Sequence, residues 1–417
     1  MNLFSSDGSV THRRVVEIIL IVGLTCGALS LAKSDIDARA AATVNKMTRA
    51  EQVMLTNGLQ AIPSPGVAIP PGAIVGAGFV PGISRLHIPA LFETDAGLGV
   101  GYLDGVSNPG ATALPSAIAM GATWNVALVR AGGAMIGAEA RARGFNVMLA
   151  GGVNLMRDPR NGRTFEYFGE DPLHSGLLAG AQVAGIQSAQ VISTVKHFAL
   201  NNQETGRSII DVRIGETAAR ESDLLAFEIA IEEGQPGSVM CSYNQVNGRY
   251  ACGNPFLLNQ VLKRDWHYTG WVMSDWGAVH ALDYFLAGLD TISGQGVAEA
   301  AERARRLEDA SRADPHLALR LADSSRRMIR TLYRFGLDTP APTLYAIDVS
   351  KDEDVAQRLA AEGIVLLRNR EDALPLSPGN AARGRHRRLC QSRSAHRRRF
   401  GARGGRRRTG GDGPDRR

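Results

Sequence analysis

The feature that most constrains the fold of this 417-residue chain is an alternation of short apolar runs with helical stretches between residues 88 and 292. The apolar runs predict strands at 88–94, 145–149, 191–195, 238–242, 270–274 and 289–292. Helical spacing of apolar residues predicts helices at 38–58, 125–143, 179–187, 216–233, 254–265, 279–287, 315–335 and 355–362. Strands that alternate with helices imply crossover units and a parallel sheet. This number of units favours an α/β fold, an irregular (β/α)8 TIM-type barrel, over an open sheet.

The sequence beyond the barrel predicts a change of domain. We place the barrel at 38–337 and a linker, which contains two prolines within five residues, at 338–352. The helix at 355–362 then leads into an apolar strand at 364–367, so a second domain is expected to start within 353–380. That domain is incomplete, because residues 381–417 consist largely of Arg, Gly and Ser.

The charge of the chain is concentrated in this tail. Residues 381–417 contain fourteen Arg and two Asp, whereas the whole chain carries a formal net charge of only +6. The body is therefore mildly acidic, which suits a neutral substrate and gives no reason to expect nucleic acid. A frame-shifted segment of a GC-rich gene is our preferred interpretation of the tail. A disordered solvated tail and a basic arm for nucleic acid are the alternatives.

The N-terminus predicts export to the periplasm or the medium. Two arginines precede an apolar stretch over 15–32 that ends in Ser30-Leu31-Ala32, which is typical of a signal peptide spanning 1–32. The interruption by Glu17 makes the stretch short for a stable membrane span, so we favour a signal peptide over an uncleaved anchor. In an exported protein, Cys241 and Cys252 can form a disulfide or remain two small buried residues.

Candidate chemical groups follow the predicted strands directly. The strand at 270–274 ends in Asp275 and Trp276, and the strand at 191–195 ends in Lys196 and His197. In an α/β barrel the carboxyl ends of the strands hold the catalytic groups. A carboxylate in this position can act as a nucleophile, and an aromatic ring beside it can pack against the C–H face of a sugar.

These segments resemble the family 3 glycoside hydrolases, in particular their β-glucosidase branch, over roughly residues 38–378. The resemblance also rests on the segment 154–166, which contains Arg-Asp-Pro-Arg and Gly-Arg-Thr-Phe-Glu. A branch with N-acetylglucosaminidase activity is excluded, because the loop after His197 lacks that branch's catalytic histidine. The resemblance implies that the second domain is an α/β sandwich and that it supplies a Glu as acid/base. This chain ends before such a Glu, so we expect a truncated and weakened enzyme.

The resemblance also implies roles for individual residues. Asp275 takes the place of the catalytic nucleophile, and Lys196 and His197 that of a pair which contacts the sugar. Asp95 takes the place of the acceptor for outer sugar hydroxyls, although the family pattern Asp-Gly-Pro-x-Gly-Val-Arg reads Asp-Ala-Gly-Leu-Gly-Val-Gly here. A turn-forming Asp is the alternative for Asp95, and a helix cap is the alternative for Asp275.

Three further residues complete the predicted site. Arg157 resembles the family's sugar-binding arginine, Tyr243 a tyrosine near the nucleophile, and Trp276 one wall of the sugar pocket. Ordinary core or rim packing is the alternative for each. Four charged residues of the same region are expected to form a structural ion-pair network behind the site: Asp158, Arg160, Arg163 and Glu166.

Taken together, the sequence predicts a retaining exo-glycosidase that hydrolyses terminal β-D-glucosyl residues through a covalent glycosyl-enzyme. A β-xylosidase-type enzyme and a non-catalytic carbohydrate-binding remnant are the alternatives. The expected partner is a small carbohydrate, and no cofactor is expected. The sequence shows no metal-ligand cluster with credible spacing and no phosphate loop.

Overall fold

The computed structural model describes residues 35–63, 68–101, 111–339, 347–371 and 374–375. The predicted signal peptide and the Arg-rich tail lie outside these residues. The strands are β1 (Asn57–Gln60), β2 (Gly78–Val80), β3 (Leu91–Thr94), β4 (Val147–Met148), β5 (Ile192–Phe198), β6 (Asp211–Val212), β7 (Ser238–Cys241), β8 (Gln245–Val246), β9 (Arg249–Tyr250), β10 (Trp271–Ser274) and β11 (Ile292–Gln295).

The helices follow the strands as the sequence predicts for an α/β fold. They are α1 (35–44), and α2 (Arg49–Leu55), α3 (Ala117–Gly121), α4 (Val126–Ala142), α5 (Pro172–Gln187), α6 (Glu216–Glu221), α7 (Asp223–Gly234), the π-helix Phe256–Asp265, α8 (Val297–Ala313), α9 (Pro315–Arg334) and α10 (Val349–Glu362).

Eight strands form one sheet in the order β10-β7-β5-β4-β3-β2-β1-β11. A parallel bridge between Met273 of β10 and Thr291, just before β11, joins the two ends of this sheet. The strands are mostly parallel, but β2 is antiparallel to both β1 and β3. The structure therefore confirms the predicted TIM-type barrel, and its irregularity lies at the first three strands. Strands β6, β8 and β9 form a small separate sheet.

Alternate residues of the strands belong to two different apolar layers. Val195, Val239 and Val272 pack in one cluster with residues of α4, α5 and α7, on the outer face of the barrel. Residues of the opposite parity belong to a second cluster on the inner face: Leu91, Val147, Ile192, Met240 and Met273. Because the side-chain period of a strand is two, Lys196 of β5 shares the inner face with Ile192.

Local caps explain where several helices begin. Asp171 accepts a 2.7 Å hydrogen bond from the His174 N–H, and Pro172 occupies the first helical position of α5. Thr48 and Glu51 form a capping box that starts α2. This cap divides the single helix predicted at 38–58 into two.

Three predicted elements between residues 216 and 292 differ from the structure in their type or their bounds. The helix expected at 279–287 is only a 3₁₀ turn, Leu282–Phe285, which places Phe285 in the core and leaves Leu286 partly exposed. The strand expected at 289–292 begins later, at Ile292, because the carboxylate of Asp290 takes the Val272 N–H that a strand would pair with. The helix expected at 216–233 breaks at Ser222, whose φ of −128° and ψ of −98° are not helical.

Helix α8 was not predicted. Only Ala300, Leu307 and Ser311 of its 17 residues are buried, so its apolar stripe is narrow. Its support comes from Arg–Glu pairs three or four residues apart, such as Arg303 with Glu299 at 2.8 Å.

The helix predicted at 355–362 is present as part of α10, but the described residues that follow it form no strand. The chain divides into two compact units at Ile364, and α10 lies in the first of them, with Leu359 fully buried. The apolar run 364–367 is not a strand: Ile364 is 76% exposed and Leu367 is 91% exposed. A strand of this kind needs a neighbouring strand for its backbone hydrogen bonds, and the described residues provide none there. The predicted linker lies mostly outside the described residues, and the domain boundaries stay predictions.

Within the described part of the chain, no helix combines the length and apolar character that a bilayer crossing requires.

Candidate active site

One end of the barrel collects the polar residues that follow β3, β5 and β10. Asp95 directly follows β3, Lys196 and His197 lie near the end of β5, and Asp275 directly follows β10. The Lys196 Nζ lies 3.7 Å from Asp95 Oδ1, and the His197 Nε2 lies 3.8 Å from Asp275 Oδ2. The structure thus brings together four of the residues that the sequence nominated.

Asp275 is buried, with 8% of its surface exposed, and its two carboxylate oxygens differ. Oδ1 accepts a 2.8 Å hydrogen bond from the Trp276 N–H, whereas Oδ2 has no hydrogen-bond partner among the described residues. Burial raises the pKa of Asp275, and the charges of Arg163 and Lys196, with hydrogen bonding from Tyr243 and Trp276, offset only part of this rise. A desolvated carboxylate with one free oxygen is suited to nucleophilic attack.

His197 is a neutral hydrogen-bonding residue rather than a cation. The guanidinium of Arg163 can only donate, so its 3.0 Å contact makes His197 Nε2 an acceptor and places the ring proton on Nδ1. Nδ1 lies 3.3 Å from the Tyr167 hydroxyl. Burial, together with the charges of Arg163, Lys196 and Arg207, lowers the pKa of His197 well below its ordinary value. His197 therefore does not form an ion pair with Asp275 at neutral pH.

The main chain of His197 is also held. The Asn154 side chain donates to the His197 carbonyl at 2.9 Å and accepts from its N–H at 2.8 Å. Such a two-point clamp fixes the position of the residue between β5 and the loop after β4.

Lys196 is shared between two carboxylates. Its Nζ lies 3.6 Å from Glu166 Oε2, in addition to its contact with Asp95. Burial raises the pKa of Glu166, but Lys196 and Arg163 together lower it by more than burial raises it. The net shift is downward, so Glu166 stays ionised. The Arg163 Nε donates to Glu166 Oε1 at 2.8 Å.

Arg163 and Glu166 are therefore part of the site, although the sequence placed them in a network behind it. Arg163 touches His197 and lowers the pKa of Asp275, and its Nη1 is a buried donor with no partner among the described residues. Asp158 and Arg160, by contrast, form an exposed surface pair at 2.7 Å rather than part of the network that the sequence predicted behind the site. The sequence signal for Arg163 is its own motif, Gly162-Arg163-Thr164, in which the arginine lies six residues after Arg157.

Arg157 is not brought to this group of residues. Its guanidinium forms an ion pair with the buried Asp223 and lies 3.3 Å from Ser222 Oγ, and its side chain is 52% exposed. The loop after β4 places Arg157 against Asp223 of α7, whereas it places Arg163 against His197 of β5. The contact with sugar predicted for Arg157 stays a prediction, and Arg163 is the arginine of this loop that contacts His197 beside Asp275.

Tyr243 and Trp276 flank Asp275. The Tyr243 ring lies beneath the guanidinium of Arg207, with 4.3 Å between the Arg207 Cζ and the ring centroid. Trp276 lies against Gly294, where any side chain would collide with the indole. The indole Nε1 is buried and has no hydrogen-bond partner among the described residues. Arg207 and Tyr167 were not nominated from the sequence.

The loop that follows β7 is closed by a disulfide between Cys241 and Cys252, with an S–S distance of 2.00 Å. Of the two alternatives that the sequence left open, the structure selects the bonded one. The bond ties the end of β7, two residues before Tyr243, to the 3₁₀ turn Ala251–Gly253. Among the described residues, no group of three or more His, Cys, Asp or Glu is arranged to hold a metal ion.

Residues 78–304, more than half of the chain, match the model of the glycosyl hydrolase family 3 N-terminal domain. The chain belongs to glycosyl hydrolase family 3. Among curated relatives of this family 3 chain, the thermostable β-glucosidase B of Acetivibrio thermocellus is 35% identical over 312 residues, which cover 70% of this chain and 39% of that protein. A β-glucosidase of Bacteroides ovatus is 36% identical over 311 residues, which cover 69% and 41%.

Solved structures give the same relationship. The family 3 barrel is similar to β-glucosidase 3B from Thermotoga neapolitana in complex with α-D-glucose, with a TM-score of 0.73 and 34% identity over 81% of this chain and 48% of that one. It is equally similar to DesR, a β-glucosidase from Streptomyces venezuelae in complex with D-glucose, at a TM-score of 0.73 and 34% identity over 81% and 43%. The chain thus spans about two fifths of the length of the curated relatives it matches.

Proposed function

We propose that this chain carries the barrel half of a retaining β-glucosidase active site, with Asp275 as the nucleophile. The observation that carries the proposal is the buried Asp275 carboxylate at the end of β10. Its Oδ2 has no hydrogen-bond partner in the described part of the chain, and the donors Arg163, Lys196, Tyr243 and Trp276 act on it. The relatives named above are β-glucosidases, and two of the similar structures hold glucose.

The proposed reaction begins with attack of Asp275 Oδ2 on the anomeric carbon of a terminal β-glucosyl residue. The C–O bond to the leaving group breaks as the Asp275–carbon bond forms, and the leaving oxygen takes a proton from water. A water molecule then attacks the anomeric carbon, gives its proton to solvent and displaces the Asp275 carboxylate with a second inversion, so the configuration is retained overall. Trp276 N–H holds the non-attacking oxygen at 2.8 Å, which orients the carboxylate for this step.

The remaining polar groups fit a neutral polyhydroxylated ligand. Asp95 is a carboxylate acceptor, whereas Arg163 Nη1 and Trp276 Nε1 are buried donors without partners among the described residues. Buried polar groups normally find hydrogen bonds, and sugar hydroxyls can both donate and accept. A pocket that offers both acceptors and donors therefore favours a sugar, and this preference is stronger than any exclusion of anionic ligands.

Two other functions are tested by hydrolysis of nitrophenyl glycosides together with glucose binding. A β-xylosidase would cleave nitrophenyl β-xyloside with a higher kcat/KM than nitrophenyl β-glucoside, which the names of the relatives do not favour. A non-catalytic carbohydrate-binding remnant would bind glucose but turn over neither substrate.

The decisive experiment is trapping of the nucleophile with a 2-deoxy-2-fluoro-β-glucoside that bears a good leaving group. Peptide mapping is expected to locate the label on Asp275, and Asp275→Ala should prevent labelling. Asp283→Ala is the matched control, because Asp283 is an exposed carboxylate eight residues further on. A label on another carboxylate would reject the assignment.

We also propose that the protein is exported, as its N-terminal sequence predicts. The Cys241–Cys252 disulfide supports this, because such bonds persist mainly in oxidising compartments. Cell fractionation with a reporter fused after residue 417 tests it, and recovery of the reporter in the cytoplasm alone would reject it.

A further inference from the structure

A carboxylic acid lies inside the barrel that the proposed reaction does not use. Glu93 belongs to β3, two residues before Asp95, and shares its parity with Leu91 of the inner apolar layer. Only 3% of its surface is exposed. Burial of an ionisable group in a barrel interior is costly, so a carboxyl at this position invites a functional explanation.

Glu93 and Trp276 meet at Gly78. In the ladder between β2 and β3, Gly78 is the residue paired with Glu93. A Cβ atom on Gly78 would collide with Glu93 Oε2 and would lie 3.2 Å from Trp276 Cζ2. The carboxyl and one edge of the indole therefore share the space that Gly78 leaves open, while Gly294 accommodates the opposite edge of the ring.

Among the described residues, the charge that acts on Glu93 is that of Asp95. Gly78 of β2, Val147 of β4 and Trp276 after β10 bring no charge, whereas Asp95 directly follows the strand that contains Glu93. Lys196 of β5 faces Asp95. Burial, and to a smaller extent the charge of Asp95, raise the pKa of Glu93 to about 8. At neutral pH the group is therefore mostly a neutral acid.

We propose that Glu93 is a positioning residue whose carboxyl seats the Trp276 indole across the space that Gly78 leaves open. When Glu93 ionises, a second negative charge appears beneath Asp95 and beside the indole. The indole edge then lies next to a carboxylate rather than a neutral acid. Glu93 thereby sets an alkaline limit for sugar binding. The link to sugar, although not the placement of Glu93 beside Trp276, rests on the proposed function.

The test uses the whole chain and measures tryptophan emission between about pH 6 and about pH 10. The wild-type emission is expected to change with a midpoint near the pKa of Glu93. Glu93→Gln, which keeps the shape but cannot ionise, should abolish this transition, and Trp276→Phe should remove it by removing the reporter. Glu353→Gln on the exposed face of α10 is the matched control and should leave the transition unchanged.

Glucose binding is measured in the same proteins. The wild-type affinity should fall about tenfold per pH unit above the transition, because each proton lost must be regained on binding. Glu93→Gln should bind glucose with an affinity that does not change in this range. An unchanged emission transition in Glu93→Gln, or an equal loss of affinity in both proteins, would overturn the inference.

Two outcomes separate this inference from the proposed function. If the chain binds no glucose at any pH but Glu93→Gln still abolishes the emission change, the proposed function fails and the seating of Trp276 by Glu93 stands. If Glu93→Gln does not fold, infrared difference spectra of wild-type protein with isotope-labelled glutamate replace it. Loss of a protonated carboxyl band together with the emission change supports the inference, and its absence overturns it.

Discussion

At the scale of single residues, Asp275 is subject to opposing electrostatic influences, and burial is the strongest. A carboxyl whose pKa is raised by folding favours the folded state below its ordinary pKa of about 3.9. That contribution is lost as the pH rises through the raised value. At neutral pH, where the carboxyl of the unfolded chain is ionised, Asp275 therefore destabilises the fold.

We accordingly predict that Asp275→Asn abolishes turnover and raises the melting temperature at neutral pH, by roughly 2 °C. The gain should shrink as the pH is lowered and the wild-type carboxyl becomes protonated. Thermal unfolding from about pH 4 to about pH 8 checks this sign. Asp283→Asn should show no such gain, and a lower melting temperature for Asp275→Asn at neutral pH would contradict the account.

Arg163 is the second residue whose removal has a defined electrostatic signature. Because Arg163 lowers the pKa values of both Asp275 and His197, Arg163→Met should move the acidic limb of kcat/KM to higher pH. It should also reduce kcat/KM for an aryl glucoside by about 10²-fold, as expected for a lost charged donor. Arg160→Met, which removes only a surface pair with Asp158, is the matched control. An equal effect of both substitutions would show that Arg163 acts only on the fold.

At the scale of secondary-structure elements, a buried ion cluster joins the π-helix, α9 and β10 at the opposite end of β11 from the candidate site. Asp290 accepts from Lys263 Nζ at 2.8 Å, from Arg320 at 2.7 Å and from the Val272 N–H at 2.8 Å. Asp290 is fully buried, so removal of its charge leaves the Lys263 ammonium without a carboxylate partner among the described residues, whereas Arg320 keeps its ion pair with Asp323.

Asp290→Ala is therefore predicted to lower the free energy of unfolding by about 3–5 kcal/mol, measured in urea. The control is Asp309→Ala on α8, whose exposed pairs with Arg305 and Arg312 should contribute about 0–1 kcal/mol. The double variant Asp290→Leu with Lys263→Met should recover part of the loss, because the cation that Asp290→Ala leaves unpaired is removed together with the carboxylate. Similar losses for Asp290→Ala and Asp309→Ala would contradict the role of burial.

At the scale of the whole molecule, the dependence of rate on the leaving group shows whether the barrel supplies a proton donor. Near Asp275 on the inner side, Asp95 and Glu166 lie against Lys196, Glu204 lies against Arg207 at 3.1 Å, and Glu93 is enclosed beneath Asp95 with 3% of its surface exposed. Lys196 and Arg163 hold the pKa of Glu166 below its ordinary value, so this carboxylate is poorly suited to protonate a leaving oxygen, and the enclosed Glu93 is poorly placed to reach one.

We therefore expect the 417-residue chain to cleave nitrophenyl β-glucoside slowly and cellobiose about 10²–10⁴-fold more slowly still. Azide should accelerate release from the glycosyl-enzyme and yield a β-glucosyl azide, because it needs no general base. Efficient hydrolysis of cellobiose would identify a proton donor within this chain and contradict the prediction.

The sequence alone determined that the chain forms a barrel and that four residues lie together at one end of it: Asp95, Lys196, His197 and Asp275. Both follow from short-range information: an apolar run predicts a strand, and the residues after a parallel strand lie at one end of the sheet. The same reasoning failed at 364–367, because an apolar run forms a strand only where another strand is available to pair with it. It also missed α8, whose apolar stripe is too narrow to give a clear period.

Only the tertiary structure decided which arginine joins the site and which carboxyl enters the barrel. Arg157 and Arg163 belong to one loop after β4, and the path of that loop, set by the contacts of Arg157 with Asp223 and of Arg163 with His197, separates them. Glu93 lies within a strand that reads as apolar, and its environment depends on Gly78 and Trp276, which are distant in sequence. Positions of this kind depend on how distant segments pack together, and a local pattern carries no information about that packing.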